Sequence, residues 1–154
     1  MGIFTQRIEY STNKYLSPDC FAKLPALISK YTDLDYLYQK KDGGCFLYPS
    51  FCNMSRRNAF VPEIDVVVSS DEAHNVISIS GRPVKLVRIF MLLWFVFSLL
   101  GEVLQIVNVI TSESGDLFSL LIPVVLCAFG FLICKLFTKA AFDAVVKVIK
   151  REFS

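Results

Sequence analysis

Charge is what this sequence has least of. Of its 154 residues only 19% are Asp, Glu, Lys or Arg, while 54% are hydrophobic. Soluble domains carry about a quarter charged residues. A fully soluble protein is therefore not expected, and a disordered one is excluded. The formal net charge of +2 is too small for the footprint of a nucleic-acid binder. There is one histidine, His74. Gly43-Gly44 has no following Lys-Ser/Thr and is not a phosphate loop. The opening MGIFTQRIEY lacks the apolar run of a cleavable signal peptide. Gln6 stands where a myristoylation motif has Ser or Thr.

Basic charge is missing above all from one stretch: no Lys or Arg occurs between Ile89 and Cys134. Two apolar runs fill it, residues 86–110 and 117–137. A helix rises about 1.5 Å per residue and a bilayer core is about 30 Å thick, so about 20 residues cross it. Both runs are long enough, and neither offers the wet polar face of a soluble helix. Residues 111–116, Thr-Ser-Glu-Ser-Gly-Asp, join them as a tight turn, which predicts an antiparallel transmembrane hairpin over 83–137.

The basic residues orient that hairpin. Arg82, Lys85 and Arg88 precede the first span, and Lys135 and Lys139 end the second. The turn has Glu113 and Asp116 and no cation. Lys and Arg in short flanks stay cytoplasmic. Both termini are expected in the cytoplasm and the turn outside it, with the five flanking cations on anionic lipid headgroups. The five cysteines fit a reducing compartment.

Residues 1–82 have ordinary soluble composition and predict a cytoplasmic α+β module. Ile3–Tyr10 alternates as a strand. Ser17-Pro18-Asp19 is a helix start, with Ser17 as N-cap, although Pro25 interrupts the helical spacing that follows. Residues 34–39 and 45–51 flank Lys-Lys-Asp-Gly-Gly as one hairpin, and 64–69 and 76–80 form a second, β-branched one. Residues 138–154 predict a basic amphipathic helix, with Phe142, Val145, Val146, Ile149 and Phe153 on one face. It can lie on lipid, but packing on the module's sheet is the preferred expectation, because a sheet needs a second layer to bury its apolar side.

Asn58-Ala-Phe-Val-Pro-Glu-Ile64, followed by a β-hairpin, Ile77-Ser-Ile79, Arg82-Pro83, Ile89-Phe-Met91 and Trp94-Phe95, resembles a family of small two-span bacterial membrane proteins with a cytoplasmic β-rich module. The resemblance covers residues 56–137. It implies a bacterial inner membrane and a two-span architecture. It supplies no activity and no functional residue.

Glu102 is the residue most in need of an explanation. A carboxylate near mid-membrane costs about 2.5–3.5 kcal/mol on insertion scales and faces protein or water. At helical spacing Ser98, Glu102 and Gln105 share a face, and Gly101 and Asn108 extend it. Three outcomes are open: a protonated carboxyl bonded to Gln105 or a neighbouring chain, a water-filled path, or a side chain reaching through a thinned leaflet. The preferred outcome is the first, a protonated, hydrogen-bonded carboxyl at a helix interface, and the stripe is read as a self-association face, since small and polar residues hold helices together in lipid. No cofactor and no metal are expected: Cys45 and Cys52 are not spaced as a zinc motif with Cys20 and His74. No acid–base or nucleophile pattern marks an enzyme. The leading expectation is a membrane-tethered binding or regulatory module with a protein or lipid partner. The alternatives are an immunity protein against a membrane-acting toxin and an ion- or proton-conducting oligomer using Glu102.

Overall fold

The computed structural model describes residues 5–13, 18–50, 60–70, 75–111 and 121–153. They form a five-stranded antiparallel sheet and three helices, two of them long and apolar. The chain divides into two compact units. One comprises Met1–Val84 with Phe137–Ser154, the other Lys85–Leu136.

In the first unit the strands are β1 (Gln6–Thr12), β2 (Tyr36–Lys41), β3 (Gly44–Pro49), β4 (Pro62–Ser70) and β5 (Asn75–Pro83). Their order is β1-β5-β4-β3-β2, so β1 and β2 are the edges. Alternation decides which side chains are buried. Ile64 and Val66 of β4, Ile77 and Ile79 of β5, and Cys45 and Leu47 of β3 point to the covered face. β2 and β3 are joined by Asp42-Gly43, and Gly43 takes φ +73, which glycine adopts without steric cost.

A 3-10 turn (Pro18–Lys23) leads into α1 (Leu24–Tyr31). The helix therefore begins later than Ser17-Pro18 suggests. The reason is visible at Pro25: it occupies the first turn of α1, where its missing N–H would have no partner in any case. Thr32 ends the helix, donating from both its N–H and its hydroxyl to Ile28 O, at 2.8 and 2.7 Å. Ser17 itself lies outside the described residues.

α2 is Lys85–Thr111 and α3 is Leu121–Phe153. α3 continues without a break through the point where the sequence pattern changes from apolar to amphipathic. It supplies residues up to Leu136 to the second unit and from Phe137 to the first. Phe142, Val145, Val146, Ile149 and Phe153 share one buried cluster with Phe21, Leu24, Ile28, Ile64, Val66, Ile77 and Ile79. Phe21 and Phe153 meet with ring centroids 5.1 Å apart. Thr12 donates its hydroxyl to Phe153 O at 2.8 Å, joining the edge strand β1 to the last turn of α3.

Candidate functional site

The second unit is built from side chains that ordinary folding would bury, and most of them are exposed. No residue in the most apolar window of α2 is buried, and only 17% of that of α3. Phe97 and Leu104 are 68% and 69% exposed. The core helix of a soluble protein would be mostly covered. These two helices are long and apolar enough to cross a membrane.

On α2 Val87 is buried, and the half-buried positions are Met91, Ser98, Gly101, Glu102, Gln105 and Val109. Their spacing of three, four and seven residues makes one helical stripe. On α3 the corresponding positions are Pro123, Cys127, Gly130, Ile133 and Cys134. Trp94, exposed but spaced three and four residues from Met91 and Ser98, lies against Gly130: a Cβ there would fall 3.0 Å from the indole nitrogen. Glycine at 130 makes room for the ring.

Four of the five residues expected to form a polar stripe are thus half-buried within this unit. Asn108 is exposed. Among the described residues nothing lies within 4 Å of the Gly101 Cβ position. Glu102 Oε2 and Gln105 Oε1 are both covered and have no hydrogen-bond partner among the described residues. The Glu102–Gln105 bond anticipated from their spacing is not formed through these atoms. Two unsatisfied oxygens in a dry setting cost free energy that exposed ones do not.

The expected headgroup contacts divide into two kinds. Lys85, Arg88, Lys135 and Lys139 are exposed and in no ion pair among the described residues. Arg82 instead turns onto the open face of the sheet. Its Nε donates to Glu63 Oε2 at 2.9 Å, and its guanidinium carbon stands 5.4 Å from the Phe46 ring centroid. Two further ion pairs lie on that face, Arg7–Glu9 at 2.6 Å and Lys41–Asp65 at 2.9 Å.

Cys45 is fully buried on β3, and burial, with the Asp65 charge adding to it, pushes its thiol up to about 12. It is held as a neutral thiol, not as a nucleophile. Burial alone raises Tyr10 to about 12 and lifts Tyr36 further. The Tyr36 hydroxyl donates to Pro62 O at 3.0 Å. Among the described residues no three His, Cys, Asp or Glu side chains gather as a metal site. His74, Cys52, Arg56, Arg57, Glu113, Asp116 and Ser119 lie outside the described residues.

One feature was not foreseen from sequence. A groove of about 560 Å³ opens between the end of α1 and the outer side of α3, lined by Tyr31, Thr32, Ala140, Asp143, Ala144, Lys147, Val148 and Arg151. Asp143, Lys147 and Arg151 recur every four residues, which is legible as a helical stripe. That Tyr31 closes its other side is not.

The fold and site together define an α+β module combined with two helices of membrane-spanning length. No family model, curated protein or solved structure matches the chain.

Proposed function

We propose that this is an integral protein of a bacterial inner membrane, acting as a non-enzymatic binding or regulatory module tethered at the cytoplasmic face. α2 and α3, the latter up to about Phe137, cross the bilayer as a hairpin with both termini cytoplasmic. The rest of α3 forms the second layer on the module's sheet. The observation carrying this reading is the exposed apolar surface of α2, none of whose window is buried. Such a surface is stable against lipid and not against water. Lys85 and Arg88 at one end of α2, and Lys135 and Lys139 on α3, support the orientation. A cysteine introduced at Thr111 tests it: labelling by an impermeant maleimide from the outer side of intact spheroplasts agrees, and labelling only from inside-out vesicles sinks it.

A second reading has a specific observation behind it. Glu102 Oε2 and Gln105 Oε1 are covered and unpartnered, as they would be if a proton or cation were to visit them in a conducting oligomer. Proteoliposome flux of native protein and Glu102→Gln tests it, and equal flux ends it.

A further inference from the structure

The exposed cations of the module are not all alike. On the open face of the sheet Arg7, Lys41 and Arg82 are each neutralised by a carboxylate within 3 Å. Around the groove at the end of α1 they are not. Lys147 and Arg151 line it and have no carboxylate partner among the described residues. The Arg151 guanidinium carbon stands 4.9 Å from the Tyr31 ring centroid, and the Lys30 ammonium 5.5 Å from the same ring. Two cations thus gather about one aromatic side chain, Lys147 lines the same groove, and none of the three is in an ion pair among the described residues.

We propose that this groove binds the phosphate group of a phosphate ester. Lys147 and Arg151 are one helical turn apart, about 6 Å of rise, so two oxygens of one phosphate can be held by both. Cation–π attraction to the Tyr31 ring, 4.9 Å away, holds the Arg151 guanidinium at the groove and uses none of its N–H groups, which can donate to a ligand. Ala140, Ala144 and Val148 recur at the same four-residue spacing and give the groove an apolar floor for the ester's carbon chain. The volume of about 560 Å³ is in the range of small-molecule sites. Asp143, one turn before Lys147, limits the charge: it disfavours further negative charge at that end. Two sources share this chemistry, a phospholipid headgroup and a free sugar or glycerol phosphate. Only the lipid source rests on the membrane-module reading above.

The test is calorimetric titration of the full chain in a neutral detergent with inorganic phosphate, glycerol 3-phosphate and a short-chain phosphatidylglycerol below its micelle concentration. Saturable binding of the esters is expected. The double variant Lys147→Gln/Arg151→Gln should weaken it at least about tenfold, since charge-assisted hydrogen bonds are lost. Asp143→Asn should tighten it, and Arg7→Gln should leave it unchanged. Lys147 and Arg151 are exposed, so an unchanged unfolding temperature of the double variant checks that its fold is intact. Tighter binding of the lipid than of glycerol 3-phosphate identifies a headgroup site, and equal binding a site for the free ester. No binding of either ester, or equal affinity in the double variant, overturns the proposal. Because the titration is independent of membrane orientation, failure of the labelling experiment above would remove the topology and leave the groove standing.

Discussion

A Cβ on Gly44 would lie 1.9 Å from the carbonyl oxygen of Val66, and one on Gly81 2.3 Å from Cδ2 of the buried Phe142. The two contacts differ in kind. At Gly44 the obstacle is backbone in the neighbouring strand, which cannot rotate away; at Gly81 it is a ring that can tilt. Gly44→Ala is expected to cost about 3 kcal/mol or more, and Gly81→Ala about 1–3 kcal/mol. Thermal unfolding in detergent will rank them, and the reverse order would contradict this packing. Tyr36→Phe leaves Pro62 O without its hydroxyl donor and should cost about 1–3 kcal/mol. Cys45, neutral and fully covered, should resist maleimide at neutral pH in the folded protein, while the partly exposed Cys20 reacts. Peptide mapping after labelling decides between them.

At the scale of elements, the apolar helices were the most legible feature. Their signal is composition summed over some twenty residues, which no single side chain can overturn. Phe97→Arg places a charge near the middle of α2 and should cost about 2.5–3.5 kcal/mol of insertion. It is expected to deplete the protein from the carbonate-resistant membrane fraction, whereas Val67→Arg on the open sheet face leaves that fraction unchanged. The strands were legible by alternation, but their ends were not. β5 reaches Pro83 and β4 starts at Pro62 because each extends the ladder of the other, as the Pro62–Pro83 register shows. Likewise Pro25 reads as a break in a helix that starts at Ser17 and as a good first-turn residue in one that starts at Leu24. Local sequence does not choose between those starts; the core contacts of Phe21 and Leu24 do.

For the molecule as a whole, the module draws its core from both ends of the chain. Phe142, Val145, Ile149 and Phe153 are buried with residues of β4 and β5. Deleting residues 138–154 should therefore unfold the sheet and, on the membrane reading proposed above, leave the apolar helices inserted. Limited proteolysis of membranes will show it, and a protease-resistant module in the truncated chain would contradict it. Stability should also fall in alkali. Tyr10 and Cys45 have folded values raised to about 12, so each binds its proton more tightly when folded. Their contribution is complete below the ordinary values, 9 for the thiol and 10 for the phenol, and is lost as pH rises toward about 12. Unfolding temperature measured from pH 8 to 12 should decline across that window, more shallowly in Cys45→Ala relative to its own value at pH 8.

Local pattern was enough for the class of structure: an α+β module together with two long apolar helices. Hydrophobic period and run length are local sums and need no knowledge of neighbours. Which polar groups find partners depends on contacts that the local pattern does not contain. Arg82 and Lys85 read alike as basic flank, yet Arg82 pairs with Glu63 while Lys85 has no ion pair among the described residues. Glu102 and Gln105 share a face as their spacing requires, yet their covered oxygens stay unbonded. The groove at Tyr31 unites residues more than a hundred positions apart. Pairing requires angstrom proximity between distant parts of the chain, and periodicity contains no such distance.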